Sequence, residues 1–152
     1  MSRHILLDSS PLSALCLPVA KGAPQSPITQ WSRACIAAGH RLYVPEIIDY
    51  ELRRELLRAG KTASLTELDN LKLFLNYLPL TTDAMLRAAD LWAYARNSGI
   101  PTGDPKRLDI DVILAAQALT LPVAPADLIV ATSNVSHISR FVKADLWTNI
   151  HP

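Results

Sequence analysis

Several acidic residues of this 152-residue chain lie next to strongly apolar segments. Asp8 closes the run that begins at His4, and this run predicts a buried strand that enters a turn at Ser9-Ser10-Pro11. Asp8 would then lie at the carboxyl end of the strand. In parallel α/β sheets ligands bind outside the carboxyl ends of the strands, so Asp8 is a candidate catalytic or ligand-binding residue.

Two further acids, Asp109 and Asp111, precede a segment from Val112 to Leu119 in which every residue except Gln117 is apolar. This composition predicts a helix over about Ile110 to Leu119 that is buried nearly all round. Asp109 can cap that helix, and either acid gains from the helix dipole. A second acid on a buried helix needs a countercharge, which Mg²⁺ or Mn²⁺ would supply because both prefer carboxylate oxygens. Spacing alone leaves capping and metal binding both open.

A helix predicted from Glu46 to Ala59 carries carboxylates at the margin of its apolar face. Glu51 and Glu55 lie along one edge of that face, and Arg54 and Arg58 come next around the helix. A carboxylate placed there can turn into a cleft, and the arginines can meet phosphate. The same spacing also suits exposed pairs of Glu51 with Arg54 and Glu55 with Arg58, each worth about 0.2–0.5 kcal/mol. Spacing alone favours the exposed pairs.

The elements that must position these side chains alternate between strands and helices. This alternation predicts an α/β architecture with a mostly parallel sheet, in one domain over residues 1–152. Asn134 follows the last predicted core strand and would lie at the same edge as Asp8. The other predicted strands are 42–45, 78–80 and 128–132, and the other predicted helices are 28–38, 64–77 and 82–97. Gly39, Gly60 and Gly99 are the predicted helix stops, and Ser64 and Glu67 have the spacing of a capping box. A loop is predicted from Gly99 to Arg107.

Composition excludes several classes of protein. The net charge is +1 and 19% of the residues are charged, which argues against disorder, a polybasic membrane anchor or a broad nucleic-acid-coating surface. A polyanion would have to bind a local patch. The four histidines and two cysteines have no zinc-ligand spacing, and phosphate-binding glycine loops and the GxSxG motif are missing from the sequence. No signal-peptide core forms before Asp8, so we expect a cytoplasmic protein.

Four segments in this order resemble those of PIN-domain ribonucleases, and the most similar type is the VapC-like toxin. The resemblance runs from about residue 4 to residue 148. The segments are ILLDSS at 5–10, DYELRREL at 49–56, DVILAAQA at 111–118 and ATSNVSHI at 131–138.

The resemblance implies a three-layer α/β/α sandwich whose acids bind Mg²⁺ or Mn²⁺ and cleave RNA phosphodiester bonds. Asp8, Glu51 and Asp111 match the family's metal-binding and catalytic acids. Asn134 stands where many relatives have a fourth acid, so this chain has a neutral group there, and Asp109 could make up the charge. The candidate substrate contacts are Ser10, Arg54, Arg58 and Thr132, with Arg53, Lys106 and Arg107 as further candidates for the RNA backbone.

The resemblance also implies a cognate antitoxin and a homodimer. Apolar faces on the helix of Trp31 and on the helical hairpin from about Ser64 to Asn97 would serve both contacts. A catalytically silent PIN-like module that binds RNA or protein without cutting is the main alternative. A flavodoxin-like phosphoacceptor domain is disfavoured because the second acid expected after Asp8 is missing.

Overall fold

The computed structural model describes residues 2–99 and 105–152, without the side chains of residues 105 and 106. The strands in these ranges are β1 (His4–Leu7), β2 (Arg41–Pro45), β3 (Asn76–Leu78), β4 (Leu128–Ala131) and β5 (Ala144–Asp145). The helices are α1 (Ser9–Leu15), α2 (Pro27–Ala37), α3 (Glu46–Arg58), α4 (Thr62–Phe74), α5 (Thr82–Asn97), α6 (Pro105–Leu119) and α7 (Val135–Ile138). Short 3₁₀ turns lie at Pro125–Asp127 and Trp147–Asn149.

The strands form one parallel sheet in the order β3-β2-β1-β4-β5. Ile5, Leu6 and Leu7 of the central strand β1 are completely buried, and all four residues of β4 are buried too. Strands covered on both faces are typical of parallel sheets with helices on each side. The structure therefore confirms the predicted α/β fold.

The strand order reverses between β1 and β4, since β2 and β3 lie on one side of β1 and β4 and β5 on the other. Such a reversal leaves a crevice at the carboxyl ends of the strands, where ligands bind in open α/β sheets. Leu7 pairs with Ala131, so Asp8 and Thr132 follow side by side at this edge. The Asp8 N–H donates a hydrogen bond to the carbonyl of Ala131 over 2.9 Å.

The turn predicted after β1 is wrong, because the chain enters helix α1 at Ser9. Asp8 caps this helix by accepting a 2.7 Å hydrogen bond from the Ser9 N–H. Pro11 lies in the first turn, where a missing N–H costs no helical hydrogen bond. A Ser-Ser-Pro sequence is typical of turns, but after an aspartate it is equally compatible with the start of a helix.

Helix α6 begins at Pro105 rather than near Ile110, so Asp109 is not its N-cap and neither acid lies in its first turn. Proline is well suited to the first turn of a helix, and the buried Leu108 anchors this early turn. The predicted loop from Gly99 to Arg107 lies partly outside the described residues, and its last residues are helical.

Helix α4 and strand β3 also differ from the prediction. Helix α4 begins at Thr62 and ends at Phe74, while β3 precedes the predicted strand by two residues. The predicted capping box is not formed, because Ser64 lies inside the first turn and is buried.

Helix α6 packs along α5 and also reaches the sheet. Ala88 and Ala95 of α5 pack with Leu108, Val112 and Ala116 of α6, and the small side chains allow close approach. Among the helices that the structure describes, none is both long and apolar enough to cross a membrane.

The one polar side chain in the apolar stretch of α6 connects three elements. Gln117 is buried; its Nε2 donates to the carbonyl of Leu78 over 2.9 Å and its Oε1 accepts from the N–H of Ile47 over 3.2 Å. Gln117 thereby connects α6, which carries Asp111, to the end of β3 and to the start of α3, which carries Glu51.

Candidate active site

Asp8 is held at the carboxyl end of β1 by two hydrogen bonds to its carboxylate. One oxygen accepts from the N–H of Ser9, and the other accepts from the hydroxyl of Thr132 over 2.7 Å. Asp8 is only 3% exposed and Thr132 only 2%. The carboxylate therefore has a defined orientation before any ligand arrives.

Thr132 and Asn134 form a local turn after β4. The Thr132 hydroxyl, which donates its proton to Asp8, also accepts a 2.8 Å hydrogen bond from the Asn134 N–H. The structure thus gives Thr132 a positioning role, and its contact with substrate stays a prediction. The Asn134 side chain makes no capping bond to α7 and is partly exposed, so it is available at this edge.

Glu51 is the buried one of the two glutamates that share an edge of α3. Its Oε2 lies 4.0 Å from Nη2 of Arg107 on α6, and its Oε1 is buried with no hydrogen-bond partner. Glu55 is exposed and pairs with Arg58 over 3.0 Å. The exposed-pair interpretation therefore holds for Glu55 with Arg58 but not for Glu51.

Asp111 is 1% exposed, and neither of its carboxylate oxygens has a hydrogen-bond partner. Its pKa is raised from 3.8 to about 6, chiefly by burial and then by the negative charges of Asp8 and Glu51, whereas Arg107 and Arg140 act against the rise. Asp8, Glu51 and Asp111 therefore share one electrostatic environment, although they come from three separate segments.

These carboxylates fit a hard divalent cation in residue type and burial, and Glu51 and Asp111 also have oxygens without a hydrogen-bond partner. Three buried oxygens, one on Glu51 and two on Asp111, are unsatisfied, which is costly without a countercharge. Within residues 2–99 and 105–152, no group of three His, Cys, Asp or Glu side chains lies close enough together to enclose an ion. Coordination by all three acids would need their side chains to converge further.

A cleft of about 440 Å³ lies between α1, α3 and α6, and of the three acids Glu51 is the one in its lining. Ser10 is exposed in its wall, and Arg54 lies there with its guanidinium 5.1 Å from the centre of the Tyr50 ring. Polar and charged residues dominate the lining, which consists of Ser9, Ser10, Ser13, Glu51, Leu52, Arg54, Glu55, Arg107 and Ile110.

Asp109 does not lie with Asp8, Glu51 and Asp111. Two positions along a helix turn a side chain by about 200°, so Asp109 and Asp111 lie on nearly opposite sides of α6. Asp109 is exposed beside Met85 and Trp92 of α5.

Arg53 is engaged in a structural ion-pair network instead of the cleft. It binds Asp49 over 3.0 Å and Asp69 over 2.8 Å, and Lys72 binds Asp49 over 3.1 Å. Asp49 is buried, and the network joins α3 to α4. The spacing of Asp49 and Arg53 by four residues could have revealed this pair. The side chain of Lys106 lies outside the described residues.

Sequence reasoning also missed Arg140, whose charge acts on Asp111 from the segment after α7. The Nε of Arg140 donates to the carbonyl of His137 over 3.1 Å. No local pattern links this arginine to a carboxylate on α6, since the two meet only in the folded chain.

Solved structures of other proteins agree with this fold. A comparison with curated proteins finds no match. Three solved structures share the fold, with TM-scores of 0.69, 0.64 and 0.60. The first is VapBC2 from Rickettsia felis bound to a DNA fragment from its promoter, with 15% identity over 95% of this chain and 98% of that one. The second is VapBC-1 from nontypeable Haemophilus influenzae, with 18% identity over 96% of this chain and 99% of that one. The third is DNA-bound VapBC from Salmonella typhimurium, with 19% identity over 95% of this chain and 98% of that one.

The sequence profile of the PIN domain matches residues 5–134, which include Asp8, Glu51, Asp111 and Asn134. Because this match spans most of the chain, the protein belongs to the PIN domain family.

Proposed function

We propose that this chain is a metal-dependent ribonuclease that hydrolyses RNA phosphodiester bonds and acts in the cytoplasm as the toxin of a toxin–antitoxin pair. One observation carries the nuclease proposal: the buried carboxylates of Glu51 and Asp111 have unsatisfied oxygens, and Glu51 lines a cleft that also holds Arg54 and Arg107. Unsatisfied anionic oxygens suit a divalent cation, and neighbouring guanidinium groups suit a phosphate backbone. Membership of the PIN domain family supports the same proposal.

Asp8, Glu51 and Asp111 would hold Mg²⁺ or Mn²⁺, with the amide oxygen of Asn134 as a neutral addition. When bound, the cation supplies Lewis-acid polarisation of a phosphate oxygen and makes water easier to deprotonate. Thr132 keeps Asp8 oriented through their 2.7 Å hydrogen bond. Arg54, Arg107 and Ser10 line the cleft, where they would contact the RNA backbone.

The nuclease proposal is tested with purified protein and RNA, with and without Mg²⁺ or Mn²⁺. Cleavage should need the metal, stop in EDTA and leave 5′-phosphate and 3′-hydroxyl ends. Asp8→Asn and Asp111→Asn should abolish it, because each removes a negative ligand. Asp90→Asn is the matched control, since Asp90 is exposed on α5, away from the cleft.

Cleavage that persists in EDTA or in both site variants would contradict the metal mechanism. A folded wild-type protein that binds RNA or a partner protein but never cleaves would instead favour the silent PIN-like module.

The antitoxin and homodimer proposals rest on exposed apolar surface. Leu73 and Phe74 on α4 are 81% and 79% exposed, and Leu86 and Trp92 of α5 are also exposed. On the helix that contains Trp31, the tryptophan itself is buried and its indole N–H donates to the carbonyl of Ile150 over 2.7 Å, while Ile36 is 46% exposed. The surfaces of α4 and α5 are the larger apolar faces that a partner would cover.

Light scattering of the purified chain tests the homodimer. Co-expression with any small reading frame directly upstream of its gene tests the antitoxin, which should form a stable complex and suppress both toxicity and cleavage. A monomer at high concentration would contradict the dimer, and unchanged toxicity with every neighbouring gene product would contradict the antitoxin pairing.

A further inference from the structure

Arg107 places a positive charge directly against the acidic site. It belongs to the first turn of α6, and its Nη2 lies 4.0 Å from Oε2 of Glu51 on α3. Its side chain is 47% exposed, whereas that of Glu51 is 10% exposed. The guanidinium therefore approaches the carboxylate from the solvent side, through the cleft.

The same charge acts on a second carboxylate of the site. Arg107 is the strongest of the influences that lower the pKa of Asp111, ahead of Arg140. The other arginines near the cleft have different partners, since Arg54 lies over the Tyr50 ring and Arg58 pairs with Glu55. Arg107 is therefore placed to serve as a counter-cation for both Glu51 and Asp111.

We propose that Arg107 is a resident counter-cation that competes with the divalent metal for the Glu51 carboxylate and so sets the metal affinity of the site. This inference rests on the proposed function, because it needs a metal at the same acids. A guanidinium and a metal ion cannot both occupy the cleft-facing side of one carboxylate, and two cations close together repel. Because Arg107 is half exposed, its guanidinium can turn from Glu51 into solvent, where water hydrates it, and stay beside the cleft.

The test is calorimetric titration of Mn²⁺ into the wild-type chain and three variants. Arg107→Gln removes the charge and should tighten Mn²⁺ binding by about two- to fivefold, the range expected when a partly exposed charge interaction is lost. Arg107→Lys keeps the charge and should remain within about twofold of wild type. Arg87→Gln on α5 is the control for net charge, because Arg87 is exposed and is not among the charges that act on Asp111.

The direction of the change separates competition from a merely structural role. If Arg107 only supported the fold around Glu51, its loss would weaken Mn²⁺ binding. Unchanged or weaker binding by Arg107→Gln, with a melting curve like that of wild type, would overturn the inference while leaving the proposed nuclease intact.

Failure of the proposed function gives a different pattern. If neither wild type nor Arg107→Gln binds Mn²⁺, the metal site and the competition are both refuted. If wild type does not bind but Arg107→Gln does, the competition is supported, since removing one positive charge has opened the site.

Discussion

Replacement of Asp111 by asparagine should stabilise the metal-free protein at neutral pH while destroying its proposed activity. The carboxylate is 1% exposed, carries two unsatisfied oxygens and lies in the field of Asp8 and Glu51. Its ionised form is therefore costly in the folded state. Asparagine keeps the shape of the side chain but has no charge to bury.

The magnitude follows from the pKa of Asp111. A rise from 3.8 in the unfolded chain to about 6 in the folded protein corresponds to about 3 kcal/mol. Below pH 3.8 the group is protonated in both states and there is no penalty. As the pH rises toward about 6 the unfolded chain releases its proton first, so the free energy of unfolding falls, and above that pH the full penalty remains. A buried amide without a full set of partners offsets about 1–2 kcal/mol of this gain, which leaves about 1–2 kcal/mol at neutral pH.

Urea unfolding in EDTA, followed by the fluorescence of the three tryptophans, measures this difference. Wild type, Asp111→Asn and the exposed control Asp90→Asn are compared at about pH 4 and about pH 7.5. The stability gain of Asp111→Asn should be present at the higher pH and fall to about 0.5 kcal/mol or less at the lower one. Equal or lower stability of Asp111→Asn at the higher pH, or a gain that does not depend on pH, would refute the reasoning.

Three further outcomes are expected. Thr132→Val should destabilise the protein by about 1–3 kcal/mol in urea and lower RNA cleavage, because Asp8 loses a hydrogen bond; Thr132→Ser should restore both, and failure to do so would argue against the bond. Gln117→Leu should cost about 1–3 kcal/mol, because the N–H of Ile47 loses its partner, and unchanged stability would mean that water replaces the amide. Asn134→Asp should tighten Mn²⁺ binding in calorimetry, whereas Asp109→Asn should leave it unchanged; the opposite pattern would place Asp109 in the site.

The class of fold and the principal elements could be predicted from the sequence, because their signals are local. Helix α3 begins at Glu46 as predicted and ends one residue before the predicted end, and β2 begins one residue early. Gly60 follows α3 with φ of 67°, a conformation that glycine adopts without the cost other residues incur. The start of α6 was misplaced because Pro105 and its neighbours carry no strong apolar pattern, and the burial of Leu108 depends on α5.

The composition of the candidate site was decided by the tertiary structure. Periodicity places Glu51 and Glu55 on one edge of α3, but only the approach of α6 makes the first a buried carboxylate and leaves the second on the surface. In the same way Asp8 obtains its orientation from Thr132, a residue far along the chain that the sheet brings alongside. Local spacing determines which face of an element a side chain occupies. Whether that face meets solvent, a carboxylate or a guanidinium depends on elements distant in sequence, and the physical chemistry of the site follows from that contact.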